Sequence, residues 1–467
     1  MKKLLVNLRM PVKENDTAPG QVLVVNGKIA TVARGGEEIG GGDAEVIDLG
    51  GHLLLPGVID GHVHFDDPGF THRETFETGT RAAAAGGVTC VVDMPCTSLP
   101  PVTSPHNLQA KLDVIRPKAH IDFMLWGGVS GNAMETPDWR RNLRGLVEAG
   151  VSSIKVYMLS GMDTFRDLSH AQFLEVLQEA RNLGIPVGVH AEDRELVKAL
   201  EANLKGAGRN GPLDYAASRP EEVEVSAVRA MADLCRTTGA RVHIVHVACR
   251  AAADVIAEAR KSGLPMTGET CPHFLAFTAA DLEAQGALLK TAPALKSRAD
   301  REGLWEGLAS GDLEYVATDH AAGQWPEEKT TGSIWTDYGG VPGVETSLPF
   351  LYSEGVRKGR LTLQRLIEVT SSRPARFLGI DNRKGRIEAG LDADFAVLSE
   401  TERWTVQAER LHSLNRYTPL HGHLLVGRVK ATILRGELVY SQTPDGAEIF
   451  GMAGRGEWVR REKRAEA

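Results

Sequence analysis

The stretch FLEVLQEARNLGIPVGVHAE, residues 173–192, contains the pattern that decides the fold. Its first part has apolar residues at helical spacing, Gly184 ends that helix, and the apolar segment from Ile185 to Val189 is typical of a buried strand. A polar residue, His190, follows the strand directly. The stretch therefore predicts a helix that leads into one strand of a parallel sheet covered on both faces.

The same order of helix, glycine and strand recurs along the chain. Further copies are LVEAG with VSSIKVYM, AVRAMADLCRTTG with ARVHIVHVA, AADVIAEARKSG with LPMTGET, and REGLWEGLASG with DLEYVATDH. VIDGHVH (58–64), VTCVVDMP (88–95) and IDFMLWGGV (121–129) add strands and bring the count to about eight. This number favours an α/β fold, a closed (β/α)₈ TIM-like barrel, over an open doubly wound sheet.

Both ends of the chain have the composition of a separate β domain. QVLVVNGKIATVA predicts a hairpin with Asn26-Gly27 as its turn, and short strands separated by Gly and Asp follow from about residue 385. We expect residues 1–55 and 385–450 to form one small β-sandwich domain and residues 56–384 to form the barrel. Residues 451–467 are expected to be a charged, solvated C-terminal tail.

Composition excludes several classes of protein. The chain has 467 residues, a net charge of −8 and 42% hydrophobic residues, which predicts a folded protein and argues against a nucleic-acid binder. The five cysteines form no C-x-x-C pair, so neither a disulfide framework nor a thiolate zinc site is expected. No apolar run reaches the ~18 residues of a membrane span, and the charged start does not form a signal peptide. We expect a cytoplasmic protein.

Polar residues follow the predicted strands at the barrel edge where such folds place their chemistry. They are His62, His64, Lys155, His190, His246 and Asp319. His62 and His64 have strand spacing and face the same side, and two converging imidazoles suit a cation such as Zn²⁺. The alternatives are hydrogen-bonded core histidines and, for Asp319, a cap on the following loop. His243 differs from His246 in parity and is expected to be structural.

Lys155 stands inside the apolar strand SIKVYM. Burial lowers the pKa of a lysine strongly. The side chain either pairs with a carboxylate or reaches solvent, or its neutral amine adds CO₂. The resulting carbamate has two oxygens that could bridge two cations.

Several motifs in this order resemble the cyclic amidohydrolases, which include hydantoinases, allantoinases and dihydroorotases. They are PGVIDGHVHFDDPG, AAAAGGVTCVVDMP, SIKVYM, GVHAED, HIVHVA, GETCPHFL and ATDH. The resemblance covers nearly the whole chain. It implies a centre of two divalent metal ions, expected to be zinc, and a homo-oligomer, expected to be a tetramer. In that centre His62, His64 and Asp319 would bind the more buried ion, His190 and His246 the second, and N6-carboxylysine at Lys155 would bridge them.

The resemblance also implies the reaction. The two cations would activate water and polarise the carbonyl of a small cyclic amide or ureide, and Asp319 would carry a proton to the leaving ring nitrogen. No Ser or Cys nucleophile is needed, so we expect Cys271 to have a packing role. His273 is expected to orient groups around the ligands. A complete ligand set argues against a metal-free scaffold protein, and Lys155 argues against an unrelated metal-dependent deaminase.

The substrate is narrowed by residues beside these motifs. Dihydroorotases usually have an Arg and an Asn where this chain has Asp66 and Cys96, and an acidic group there would repel a substrate carboxylate. DMP (93–95), PPVT (100–103), DYAASRP and RYTPLHGHLLVGRVKATILRGELVY are similar to allantoinases and their close hydantoinase relatives. The departures are Ala321, where allantoinases often have Ser, and PALK (293–296) in place of PPIR or PPVR.

We therefore expect ring opening of allantoin or another 5-substituted hydantoin. The alternatives are a dihydroorotase, a dihydropyrimidinase-like hydrolase of a six-membered ring, and a hydrolase of another lactam or imide. The predicted substrate contacts are Asp66, Cys96, Thr291, Gly340 and Gly343. A pocket for the 5-substituent is expected among Phe65, Cys96, Leu159 and Trp335.

Overall fold

The chain begins with three antiparallel strands, and a fourth strand pairs in parallel with the first. The computed structural model describes residues 1–443 and 445–462. Its first strands are β1 (Lys2–Lys13), β2 (Asp16–Val25), β3 (Lys28–Arg34) and β4 (Glu45–Pro56). Asn26 and Gly27 have φ values of 51° and 79°, as a tight turn between two right-handed twisted strands requires. The predicted hairpin is confirmed.

Parallel strands then form the closed barrel that the repeated pattern predicts. They are β5 (Val58–Val63), β6 (Val88–Asp93), β7 (Asp122–Leu125), β8 (Gly127–Gly128), β9 (Ile154–Tyr157), β10 (Val187–His190), β11 (Val242–Ile244), β12 (Met266–Thr270) and β13 (Tyr315–Val316). β7 and β8 are two halves of one barrel strand, interrupted at Trp126. The ring closes between the ends of β5 and β13, where Val63 pairs with His320. The barrel therefore has eight strand positions.

Helices surround the barrel. The longer ones are α1 (Phe76–Ala85), α2 (Pro105–Ile115), α3 (Trp139–Ala149), α4 (His170–Leu183), α5 (Arg194–Gly206), α6 (Glu221–Thr238), α7 (Arg250–Lys261) and α8 (Arg298–Ser310). Shorter helical segments are Gly131–Met134, Pro212–Ala217, Pro272–Ala276, Ala279–Gln285, Ser347–Phe350, Leu363–Ile367 and Arg373–Leu378, with π-helical turns at Leu351–Val356 and Glu368–Ser372. Short 3₁₀ turns lie at Arg116–Lys118, Gly286–Leu289 and Ala408–Arg410.

Local sequence fixes the helix ends. Ser169 caps α4: its side chain accepts a hydrogen bond from the Gln172 amide, and its own amide donates to the Gln172 side chain. It ends at Gly184, which is left-handed with φ 66°. This is the helix and the glycine that the stretch 173–192 predicts.

The barrel interior is closed by large side chains. Trp126 and Tyr315 are fully buried there together with Ile59, Val92 and Met124. A second apolar layer lies between the strands and the helices. Because the interior is filled, polar groups that leave the strands gather at the C-terminal rim.

Both chain ends build one domain. After the barrel come β14 (Phe395–Thr405), β15 (Leu424–Leu434), β16 (Glu437–Gln442) and β17 (Glu448–Phe450). They join the N-terminal strands in one continuous eight-stranded sheet of order β17-β16-β15-β14-β4-β1-β2-β3. The predicted contribution of both ends to one β domain is confirmed.

The segment before the C-terminus lies against the barrel. Val459 is 2% exposed, its amide donates to the Phe123 carbonyl, and the Phe123 amide donates to the Glu457 carbonyl. The prediction of a solvated tail is wrong for Trp458 and Val459. These two residues supply apolar side chains within the charged run, and they pack against the barrel. Residues 463–467 of the predicted tail lie outside the described residues.

Two further observations on the described residues concern the cysteines and membrane-spanning helices. All five cysteines are buried and unpaired, as their spacing predicts. No helix in residues 1–443 and 445–462 has the length and hydropathy to cross a membrane.

Candidate metal centre

The polar residues predicted at the strand ends meet at one rim of the barrel. His62 belongs to β5 and His64 follows it, Lys155 belongs to β9, and His190 ends β10. His246 follows β11 and Asp319 follows β13. Each strand is parallel to its neighbours, so the fold gathers residues that lie far apart in sequence.

His62, His64 and Asp319 converge on one point. The Nε2 atoms of the two histidines are 3.3 Å apart, and they lie 3.1 and 3.2 Å from Oδ1 of Asp319. Burial alone would raise the pKa of Asp319, but the neighbouring His62 and His64 hold it well below its usual value. Two imidazole nitrogens and an ionised carboxylate oxygen are a donor set that suits a divalent cation such as Zn²⁺.

His190 and His246 form a second pair beside the first three residues. Nδ1 of His190 lies 3.0 Å from Nε2 of His246, and the ring centroids of His62 and His246 are 5.6 Å apart. Nδ1 of His246 is buried without a hydrogen-bond partner among the described residues. Burial, with the adjacent His190, lowers the pKa of His246 well below its usual value. Two imidazoles directed at each other fit a second cation.

Lys155 lies in β9, the strand that pairs with β10 of His190. The residue is fully buried, and Nζ has no hydrogen-bond partner among the described residues. Nζ is 4.9 Å from the ring centroid of Tyr157, whose ring stacks on His190. Burial lowers the pKa of the ammonium group. A structural lysine would pair with a carboxylate, and this one forms no such pair in the described part of the chain.

The remaining ring nitrogen of three histidines is held by a neighbour. Nδ1 of His62 lies 2.6 Å from Glu269, Nδ1 of His64 lies 3.1 Å from Thr97 Oγ1, and Nε2 of His190 lies 2.9 Å from Glu192. Such partners fix the tautomer and orientation of metal-binding imidazoles. The other nitrogen of each ring is thereby directed to the centre.

These supporting residues were missed in the sequence, although two carried a signal. Glu192 lies two positions after His190 in GVHAED, and Glu269 precedes Cys271 in GETCPHF. Both are fully buried acids at the ends of barrel strands. Thr97 carried no signal, because its role depends on the path of the loop after β6.

Backbone geometry marks the same rim. Asp66, His246 and Asp319 have positive φ values of 55°, 43° and 49°. Non-glycine residues rarely take this conformation, and it persists where surrounding contacts fix it. The Asp319 amide donates to the His62 carbonyl at 2.9 Å, and the Asp60 carboxylate accepts hydrogen bonds from the amide and hydroxyl of the preceding Thr318. Asp60 in IDGHVH was also missed.

Asp66 and Cys96 are two predicted substrate contacts. Asp66 lies two residues after His64, and Cys96 lies in the loop after β6. Asp66 is fully buried, and neither carboxylate oxygen has a hydrogen-bond partner among the described residues. Cys96 is also buried, with Sγ 3.8 Å from Nδ1 of His64 and 3.2 Å from the hydroxyl of Tyr157. Cys96 therefore contacts the residues that hold the centre.

The predicted backbone contacts are largely engaged within the protein. The Gly340 amide donates to the Lys290 carbonyl at 2.8 Å, and the Gly343 amide lies 3.2 Å from Nδ1 of His320. These two amides are therefore not free for a ring, because tertiary hydrogen bonds that no local pattern reveals already use them. The carbonyls of Thr291 and Gly340 each accept one hydrogen bond and retain a second lone pair.

The side chains predicted to surround a ring substituent differ in their packing. Phe65 is fully buried, with its ring against Phe76 and His320, and belongs to the core. Trp335 packs on Tyr215 and donates to the Arg209 carbonyl. Leu159 is half-buried.

Cys271 and His273 follow β12, and the described part of the chain shows no hydrogen bond between either and the predicted ligand residues. Cys271 is buried in the main apolar cluster, as a packing role predicts. His273 is buried, and its Nε2 has no hydrogen-bond partner among the described residues. Among the described residues it is Glu269 that contacts the ring of His62, at 2.6 Å, and the orienting role of His273 stays a prediction.

Comparison with known proteins identifies relatives along nearly the full length. The model of the amidohydrolase family matches residues 53–439. The allantoinase of Streptomyces avermitilis is 40% identical over 426 residues, which cover 91% of this chain and 92% of that protein. The allantoinase of Rubrobacter xylanophilus is 38% identical over 441 residues, 94% of each chain. The structure of the L-hydantoinase (dihydropyrimidinase) from Arthrobacter aurescens has a TM-score of 0.91 and 31% identity, and it covers 98% of this chain and 99% of that one.

Proposed function

Because the chain belongs to the amidohydrolase family and is a cyclic amidohydrolase, we propose that it opens the ring of allantoin or another 5-substituted hydantoin by metal-dependent hydrolysis. The observation that carries the proposal is the convergence of five side chains at the barrel rim. Their donor atoms lie 3.0–3.3 Å from one another within each group, beside a buried amine without a partner.

The proposed centre holds two divalent cations, taken to be zinc. His62, His64 and Asp319 would hold one ion, and His190 and His246 would hold the other. Two cations bound there would activate water as a nucleophile and polarise the substrate carbonyl. Glu269, Thr97 and Glu192 keep the histidine rings in orientation when the ions bind.

Lys155 is proposed to be carboxylated at Nζ and to serve as a ligand of both ions. Its amine nitrogen adds to the carbon of CO₂ and one proton leaves, which gives a carbamate with two oxygens. The buried Nζ without a partner supports this assignment, because an unmodified ammonium would carry an uncompensated charge there.

Asp319 is the proposed catalytic residue. Oδ1 faces His62 and His64, which leaves Oδ2 to accept a proton. The oxygen of water adds to the ring carbonyl carbon while its proton passes to Asp319. The C–N bond then breaks and Asp319 delivers the proton to the ring nitrogen, so that the product is an open-chain amide acid.

The substrate assignment has two supports. The relatives with high identity along the chain are allantoinases by name, and allantoin is itself a 5-substituted hydantoin. Asp66 is also a buried acid whose pKa burial raises well above its usual value, so this position supplies no positive charge for the carboxylate of dihydroorotate.

We further propose a homotetramer in the cytoplasm, with the cyclic ureide as the small-molecule partner. The family resemblance supports the tetramer. The five unpaired, buried cysteines support a reducing compartment.

The test is a substrate panel. Protein supplied with zinc and bicarbonate is assayed on allantoin, 5-methylhydantoin, dihydrouracil and dihydroorotate, with and without a strong chelator. We expect kcat/KM for allantoin or the hydantoin to exceed that for the six-membered rings by about tenfold or more, and the chelator to abolish turnover. Preference for a six-membered ring, turnover of none of the four, or full activity with chelator contradicts the proposal.

A further inference from the structure

Lys329, in the segment after β13, places a buried amino group among backbone carbonyls. The residue is 3% exposed. Nζ donates to the carbonyls of Ala287 at 3.1 Å, Tyr338 at 2.9 Å and Gly340 at 2.5 Å. No carboxylate in the described part of the chain forms an ion pair with it. Burial and the nearby Lys290 lower the pKa of Lys329 to about 7, and its three hydrogen bonds all go to main-chain carbonyls.

These carbonyls belong to two separate parts of the chain. We name residues 286–291 the first rim segment and residues 338–343 the second rim segment. The Gly340 amide donates to the Lys290 carbonyl at 2.8 Å, so the segments already share one direct hydrogen bond. Lys329 adds a link through one atom, because Nζ contacts Ala287 in the first segment and Gly340 in the second.

Each rim segment contains a predicted ring contact, Thr291 in the first and Gly340 in the second. Both carbonyls keep a lone pair after their protein contacts. A flat ring can use both only if the distance between the segments is fixed. The hydrogen bonds of Lys329 span that distance.

The backbone that carries Lys329 is itself fixed. The preceding residue, Glu328, accepts hydrogen bonds from Arg73 at 2.7 and 2.9 Å. The Tyr338 amide donates to the Glu328 carbonyl at 2.7 Å. A Cβ added at Gly323 would lie 2.7 Å from the Tyr338 ring and 3.2 Å from Cε of Lys329, which shows how closely the segments pack.

We infer that Lys329 is a positioning residue for ring binding, which holds the first and second rim segments together so that both can contact the substrate. This inference rests on the proposed function. Lys290 of the first rim segment adds a link outside the second segment, because its Nζ donates to the carbonyl of Asp337, one residue before that segment, and lies 4.9 Å from the ring centroid of Tyr215.

The test compares Lys329→Met, which keeps the length but removes the donors, with Lys329→Arg, which keeps charge and donors. Lys358→Met is the matched control, because Lys358 is an exposed lysine paired with Glu354 four residues before it. For Lys329→Met we expect KM for allantoin or 5-methylhydantoin to rise about tenfold or more while kcat falls less than about threefold. Lys329→Arg should recover part of the loss, and Lys358→Met should match wild type.

Amide hydrogen exchange gives a readout that needs no substrate. Lys329→Met should exchange faster in both rim segments than wild type, with bound metal unchanged. Unchanged KM with unchanged exchange overturns the inference, as does a loss of kcat at constant KM. If Lys329→Met does not fold, Lys329→Gln, which retains two donors, is measured instead. We then expect a smaller rise in KM and a smaller increase in amide exchange. If wild type opens none of the rings, the proposed function fails, and the exchange result alone supports or overturns the link.

Discussion

At the scale of single residues, the histidines of the candidate centre depend on groups that do not face it. Glu269 contacts Nδ1 of His62 at 2.6 Å and Nε2 of His243 at 3.2 Å, and all three side chains are fully buried. His243 is thereby explained as a structural residue, as its strand parity predicts. Glu269 directs Nε2 of His62 to the centre without being a ligand.

Replacing Glu269 by Gln tests this dependence. We expect metal affinity at the His62 site to fall about 10–100-fold, because the amide no longer fixes the imidazole through a charged hydrogen bond. Competition with a chromophoric chelator measures the affinity. Glu302→Gln, in a surface pair with Arg301, is the control. An affinity equal to wild type would contradict the role of Glu269.

Lys155→Ala tests the amine itself. We expect kcat/KM to fall at least about 100-fold and the metal content to drop below two ions per chain, because the ligand proposed to be shared by both ions is lost. Metal analysis and the ring-opening assay of the same preparation measure both quantities. Full activity would exclude a carbamate role. Lys358→Ala controls for loss of any lysine.

At the scale of elements, an ion triad joins β17 to the barrel. His412 lies between two acids, with Nδ1 3.0 Å from Glu345 and Nε2 3.4 Å from Glu448 of β17. Burial lowers the pKa of His412, but Glu345 and Glu448 outweigh this and raise it to about 9 from 6.5. Glu345 follows Gly343 and Val344, whose amides contact His320. The triad therefore supports the loop beside the candidate centre.

This pKa predicts a pH dependence of stability. The folded protein binds the His412 proton more tightly than the unfolded chain, so the stabilisation is fully present below pH 6.5 and is lost as pH rises through about 9. The difference in melting temperature between wild type and His412→Gln should thus be largest at low pH and shrink toward zero above that range. A constant difference from pH 6 to pH 10 would contradict the assignment.

At the scale of the whole molecule, buried charges join the barrel to the β domain. Lys384 is 1% exposed and contacts Asp122 of β7 at 2.7 Å, Asp392 at 3.1 Å and Asp394 at 2.5 Å. Asp394 also accepts a hydrogen bond from the backbone amide of Arg435, in the turn between β15 and β16. One cation thus links strands of both domains.

Lys384→Met should destabilise the protein by about 3–5 kcal/mol, because three carboxylates lose their buried cation. Urea unfolding measures the loss. Lys358→Met, which breaks one exposed i,i+4 pair, should cost only about 0.3–0.5 kcal/mol. Equal stability of the two variants would show that the buried cluster contributes nothing particular to domain association.

Features that depend on local sequence and on the parallel barrel could be predicted from the sequence, whereas contacts between distant segments could not. His62, His64 and His190 lie at strand ends, and the parallel barrel alone brings them together. The partners Glu269 and Thr97, and the hydrogen bonds that use the amides of Gly340 and Gly343, depend on contacts between distant segments. The burial of Val459 was hidden for the same reason, since its partner Phe123 lies in β7.

The central claim is a two-metal centre bridged by modified Lys155, and a crystal structure with anomalous diffraction at the zinc edge tests it most directly. For protein prepared with zinc and bicarbonate, we predict two anomalous peaks. One should lie among His62, His64 and Asp319 and the other between His190 and His246, with carbamate density on Nζ of Lys155. An unmodified amine, or no anomalous peak among these side chains, would contradict the account.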